Sequence, residues 1–106
     1  MEYTSGALTE AVYYILLSLL TPMHGYGIMQ NVESLSGGRV KLAAGTLYGA
    51  INTMLEKGWI TALPAPAGSR KKEYEITPAG RQILAAEIRR LEELLESGRK
   101  LFGGME

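Results

Sequence analysis

The stretch Ala43-Ala44-Gly45-Thr46-Leu47-Tyr48-Gly49-Ala50-Ile51-Asn52-Thr53-Met54-Leu55-Glu56-Lys57-Gly58-Trp59-Ile60 decides the fold. Within it Leu47, Ile51, Met54 and Leu55 recur at i, i+4, i+7 and i+8, one stripe of a helix that stops at Gly58, a residue suited to the left-handed conformation. That stripe must be buried. The opposite face reads Gly45, Gly49, Asn52 and Thr53, flanked by Thr46 and Tyr48, and carries no charge until Glu56. Two glycines inside a helix cost about 1 kcal/mol each relative to alanine. The cost is accounted for if a bulky partner lies against the backbone, and the major groove of DNA is such a partner.

Toward the N-terminus, Arg39-Val40-Lys41-Leu42 alternates basic and apolar residues, as a very short strand would, with Arg39 and Lys41 turned to solvent or phosphate. Before it a helix is expected from about His24 to Ser36, with Ile28, Val32 and Leu35 buried and Gln30, Asn31, Glu33 and Ser34 outside. Gly37-Gly38 stops it. A first helix opens at Thr9, with Glu10 in its first turn, and closes at Thr21-Pro22. Nearly every position from Leu8 to Leu20 is apolar, Tyr13 and Tyr14 included, so this helix is central or shared with a second subunit.

Toward the C-terminus, Ile60-Thr61-Ala62-Leu63 and Lys71-Lys72-Glu73-Tyr74-Glu75-Ile76 flank a Pro/Gly-rich connection and read as a hairpin. Tyr74 and Ile76 face inward, Glu73 and Glu75 outward, and the bases Arg70, Lys71 and Lys72 sit at the tip. Thr77-Pro78 is an N-cap followed by proline at the first helical position. In the last helix Leu84, Ile88, Leu91, Leu95, Gly98 and Phe102 follow alternating steps of four and three, the rhythm of a helix that packs on another helix. Ile83, Leu94 and Leu101 widen the stripe beyond the needs of one small domain.

The 106 residues carry equal numbers of acids and bases, yet the charges are not spread evenly. Residues 1–38 have three glutamates and no base. Residues 39–72 have six bases against Glu56 alone, a local excess of five. Local charge, not net charge, governs phosphate attraction. The chain has no cysteine, one histidine and no cluster of metal-ligating residues, so no catalytic site, metal site or cofactor is expected. The longest apolar run falls well short of the ~20 residues that span a bilayer, and the first residues lack the basic region of a signal peptide. A cytoplasmic protein with no membrane partner is the resulting expectation.

The order helix, helix, short strand, helix, hairpin, long helix makes a mainly α (α+β) fold. These are the parts of a winged helix-turn-helix (residues 1–76), whose third helix enters the major groove, followed by a C-terminal dimerisation helix (residues 77–106) packed on the same domain. His24-Gly25-Tyr26-Gly27-Ile28, Gly45-Thr46-Leu47-Tyr48, Leu55-Glu56-Lys57-Gly58-Trp59-Ile60 and Tyr74-Glu75-Ile76-Thr77-Pro78-Ala79-Gly80 resemble, in that order, the motifs of the PadR family of transcriptional regulators. The likeness spans about residues 8–102 and fits the short subfamily with a single C-terminal dimerisation helix. It implies a homodimeric repressor that binds double-stranded DNA at an inverted-repeat operator and releases it when a small, often aromatic, effector binds.

Carried over by position, Thr46, Tyr48 and Asn52 belong to the recognition helix and Arg70, Lys71 and Lys72 to the wing; the alternation of residues 39–42 adds Lys41 as a DNA contact. The dimer interface falls to Tyr13, Leu84, Ile88, Leu91, Leu95 and Phe102. Three departures from the family pattern stand out. Ala43 occupies the position of a frequent capping serine, Gly27 that of a frequent charged residue, and the last helix has no tryptophan. His24 reads as a turn or capping residue, and Tyr26, Tyr74 and Trp59 as core or interface. A rival reading is a winged-helix module for protein–protein contact, its glycine face packed on another polypeptide.

Overall fold

The computed structural model describes residues 6–65, 67, 68 and 71–103. Four helices surround one small sheet: α1 (Glu10–Ser18), β1 (Met23–His24), α2 (Gly25–Leu35), α3 (Ala44–Glu56), β2 (Ile60–Leu63), β3 (Glu73–Ile76) and α4 (Pro78–Phe102). The sheet is antiparallel in the order β1-β3-β2, with Ile60 opposite Ile76, Ala62 opposite Tyr74, and Met23 opposite Tyr74 on the other edge. One core is assembled from Ile15, Leu16 and Leu19 of the first helical stretch, Ile28 and Val32 of α2, Leu47, Ile51 and Met54 of α3, the strand residues Ile60, Tyr74 and Ile76, and Leu84 of α4. Each such large side chain contributes about 1.5–3 kcal/mol on burial.

Local chemistry sets the helix ends. The Thr9 hydroxyl accepts the Val12 N–H, and the Thr77 hydroxyl accepts that of Gly80. α2 and α3 both stop in a doubly bonded left-handed turn. Gly38 and Gly37 donate to the Glu33 and Ser34 carbonyls, and Trp59 and Gly58 to those of Met54 and Leu55. Gly37 and Gly58 hold φ of 63° and 76°, which a side chain would strain. Ala43 precedes α3 with no side-chain cap, so the first N–H groups of that helix lack a protein side-chain acceptor at this position.

Four expectations need correction. Arg39–Leu42 is not a strand: Ser36 captures this backbone, its hydroxyl accepting the Val40 N–H at 3.0 Å and its carbonyl that of Arg39 at 3.2 Å. The third strand is Met23–His24, which takes the free edge of β3. Leu35 is exposed rather than part of the α2 stripe. Asn31 faces inward, donating to the hydroxyl of buried Ser18, which itself donates to the Tyr14 carbonyl.

α4 is tied to the domain at two points. At its base Thr77 donates its N–H to the Trp59 carbonyl (2.9 Å) and its hydroxyl to that of Gly58 (2.6 Å). Gly80 packs so closely on Trp59 that a Cβ would overlap the Trp59 carbonyl. Two turns on, the buried Glu87 carboxylate accepts from Arg90 Nη2 (2.7 Å) and Nε (2.8 Å) and from the Leu8 N–H (3.2 Å). The Arg90 hydrogen bonds hold its pKa below the usual carboxylate range, against a smaller upward push from burial and with further help from the Leu8 N–H. A carboxyl group whose pKa is lower folded than unfolded stabilises fully above its unfolded pKa and loses that contribution as pH falls through the folded one. Thermal melts from pH 7 down to pH ~3 should therefore show a steeper loss of stability for the wild type than for Glu87→Gln. Parallel acid limbs would remove the clip from the stability balance.

Candidate nucleic-acid interface

α3 turns Leu47, Ile51 and Met54 into the core and leaves Gly45, Thr46, Tyr48, Gly49, Asn52 and Thr53 exposed. A Cβ built on Gly45 or on Gly49 meets no atom within 4 Å. Neither glycine is therefore required by packing inside the domain, although both cost helix stability. The exposed face is a shallow, uncharged strip. Only the Thr53 hydroxyl folds back on it, donating to the Gly49 carbonyl at 3.2 Å.

The helix-turn-helix crossing is set by a glycine. Gly25, buried at the start of α2, sits under Tyr48, and a Cβ there would overlap the Tyr48 hydroxyl. Tyr48 is thus held between the two helices with about half its surface exposed. His24 caps α2, its Nδ1 accepting the Gly27 N–H at 3.2 Å. Beside these residues the hairpin brings up Lys71 and Lys72, both exposed, immediately before β3. Together they border an open groove of about 370 Å³ lined by His24, Gly25, Tyr26, Tyr48, Lys71, Lys72 and Tyr74. The Tyr74 phenol is pushed above its ordinary pKa, chiefly by burial and secondarily by the neighbouring Tyr48.

Of the residues expected to meet DNA, Thr46, Tyr48 and Asn52 share the exposed side of α3, Lys41 is exposed in the loop before it, and Lys71 and Lys72 stand across the groove from Tyr48. Arg70 lies outside the described residues. Two other bases of the basic middle are engaged within the protein. Arg39 pairs with Glu10 at 3.1 Å, and the Lys57 ammonium lies 5.2 Å from the Trp59 ring centroid.

The expected interface residues divide. Leu84 is buried in the core of its own domain, one turn before Glu87, and does not belong to the outer seam. Ile88, Leu91, Leu95 and Phe102 are exposed, as are Leu94 and Leu101. They form an apolar stripe along the outer two thirds of α4, of the kind that marks an interaction surface. Tyr13 is half-buried and meets Tyr14 edge to face, ring centroids 5.6 Å apart. Both tyrosines, with Leu8, Glu10, Glu87, Arg90 and Leu91, line a second concavity of about 290 Å³ between α1 and α4.

Sequence reasoning missed the Glu87 clip and the groove role of His24, Tyr26 and Tyr74. A signal existed for the first: Gly80, Leu84 and Glu87 are spaced by four and three, so an acid stands at an inward position. No local signal marks the groove, which three separate elements assemble.

The family model described as the transcriptional regulator PadR-like family matches residues 15–86. Over 78 residues, 74% of the chain, the sequence is 37% identical to a 37.1 kDa protein in transposon TN4556 of Streptomyces fradiae, and it spans only 21% of that relative's length. Among solved structures, a PadR family transcriptional regulator from Eggerthella lenta superposes with a TM-score of 0.71 at 24% identity, over 88% of this chain and 81% of that one. A transcriptional regulator from Thermoplasma acidophilum gives 0.68 at 25% identity, over 91% and 93%. Bordetella bronchiseptica BpsR, whose DNA binding is regulated by 6-hydroxynicotinic acid, gives 0.68 at 21% identity, over 93% and 68%.

Proposed function

The chain belongs to the PadR-like family of transcriptional regulators, and on that premise we propose that it is a homodimeric repressor that grips an inverted-repeat operator and lets go when a small aromatic effector binds. That family is one of regulators, not enzymes. Residues 1–76 act as the winged helix-turn-helix and residues 77–106 as the dimerisation helix. The observation that carries the reading is the bare face of α3, where Gly45 and Gly49 have open space above them and no packing reason to be glycine. A strip without side chains lets the edges of bases approach the helix backbone. Asn52 then reads a base edge, Thr46 and Tyr48 flank it, and Lys41, Arg70, Lys71 and Lys72 neutralise phosphates.

Dimerisation through α4, with Tyr13 at the α1 side, sets the spacing of two recognition helices against major grooves that recur every ~34 Å. The apolar stripe Ile88, Leu91, Leu95 and Phe102 supports this, since a lone helix in water has no use for it. The effector enters the concavity bounded by Tyr13, Tyr14 and Leu91, with Arg90 in its wall. Control of BpsR, a protein of the same fold, by a small aromatic acid is in keeping with that assignment. No helix among the described residues is long and apolar enough to cross a membrane, and the protein acts in the cytoplasm, where its DNA is.

Fluorescence anisotropy against DNA from upstream of its own gene, over a salt series and beside an unrelated duplex, tests the reading. The affinity should prefer the promoter and fall steeply with salt. Asn52→Ala should erode the preference by about 1–3 kcal/mol. Equal and salt-insensitive binding to both duplexes would favour a protein-contact module instead.

A further inference from the structure

We propose that the groove between α2, α3 and β3 is a seat for one DNA backbone phosphate, in which the Tyr74 and Tyr48 hydroxyls donate to the phosphate oxygens and Lys72 supplies the countercharge. The inference rests on the DNA-binding reading and deepens it. Its starting point is an anomaly in the core. Tyr74 is 8% exposed, yet no hydrogen bond to its hydroxyl is formed among the described residues. Buried phenols nearly always find a partner, because desolvating a hydroxyl without one is costly. The Tyr74 ring completes the core between Met23 and Ala62 while its side chain forms part of the groove wall. The groove is the side from which a partner, water or an anion, reaches this hydroxyl.

The lining specifies what that partner is. Tyr48 has no hydrogen bond within the described structure either, and Gly25 leaves the space in which its hydroxyl stands. His24 has its Nδ1 committed to accepting the Gly27 N–H, so the neutral ring carries its proton on Nε2 and offers a donor. Lys72 adds positive charge, and among the described residues no carboxylate lines the groove. A lining composed of donors and ammonium groups fits a group that only accepts and carries negative charge. Phosphate is such a group, and the groove adjoins the bare face of α3, where a duplex would pass.

The test compares wild type, Tyr74→Phe, Tyr48→Phe and Lys72→Gln by anisotropy on an unrelated duplex at low salt, where only backbone contacts count. Removing a hydrogen bond to a charged group should weaken binding about tenfold for either phenylalanine variant. The loss should be equal on promoter DNA, because a phosphate contact carries no sequence information. Lys72→Gln should lower the slope of log K against log salt by about one. Because the Tyr74 hydroxyl has no internal partner, Tyr74→Phe should melt no lower than wild type.

Unchanged affinity in Tyr74→Phe, with wild type binding DNA, would overturn the seat and leave the DNA reading intact. A lower melting temperature would also overturn it, by exposing an internal partner. If inorganic phosphate raises the melting temperature of wild type but not of Tyr74→Phe while both bind DNA equally, the groove holds a free anion and the backbone assignment fails. Wild type that binds no duplex at low salt would sink the DNA reading and the seat together.

Discussion

Gly49→Leu should make the protein more stable and a far poorer DNA binder. A Cβ at this exposed position meets nothing within 4 Å, so the branch starts in open space and no core packing is disturbed. Leaving glycine for leucine in a helix interior recovers about 1 kcal/mol, or roughly 4 °C or more in melting temperature for a chain of this size. The same side chain stands where the floor of the major groove has to come. Steric overpacking costs about 1–3 kcal/mol, so affinity should drop by roughly 5- to 150-fold. Thermal melts and anisotropy on one preparation give both numbers. A stabilised protein with undiminished affinity would show that this side of α3 does not dock on DNA. Most substitutions that damage function also damage the fold, whereas here the two effects have opposite signs.

The second large effect is expected at the far part of α4. Leu91 and Leu95 lie one turn apart on the exposed stripe, so replacing both by glutamate leaves the core of the domain untouched. In a two-fold assembly each substitution occurs twice, and four carboxylates would face one another across the seam. Unpaired charges at an apolar contact cost several kcal/mol. Sedimentation velocity at micromolar concentration should show a dimer for the wild type and a monomer for Leu91→Glu/Leu95→Glu. Affinity for an inverted repeat should fall by about 100-fold or more, as two linked contacts become one. A variant that stays dimeric and binds as before would move the subunit contact elsewhere.

The parts of the fold that were legible in the sequence are those fixed by neighbours in the chain. Thr77-Pro78, Gly58 and Gly37-Gly38 bound their helices through capping chemistry contained within a few residues, and all act as expected. Strand Met23–His24 was not legible, because two residues carry no periodicity and their pairing depends on the edge of β3 about 50 residues away. Arg39–Leu42 has the alternation of a strand, but Ser36 next to it offers this backbone nearer partners. On α4 the error was one of phase. An inward row at Gly80, Leu84 and Glu87 adjoins an outward row at Ile88, Leu91 and Leu95, and the single stripe drawn through Leu84 merged them.

The candidate site divides along the same line. The exposed face of α3 follows from the spacing of its buried residues. The inward direction of Tyr74 followed from period two, but what its hydroxyl meets depends on Gly25 and Tyr48, which belong to other elements.

The attachment of α4 has a mechanical meaning. Thr77 is bonded to the carbonyls of Gly58 and Trp59, the two residues that end the turn closing α3, and Gly80 is pressed against the second of them. A helix of 25 residues is a rigid arm about 37 Å long, so a tilt of about 5° at its base swings its tip by about 3 Å. The base of that arm is held by the Thr77 N–H and hydroxyl on two backbone carbonyls, and two turns on by buried Leu84 and the Glu87 clip. Torque applied at the leucines of the tip is passed through these ties to the core and to the end of the recognition helix. The linkage works equally in reverse, so a duplex that reorients α3 would be felt at the subunit seam.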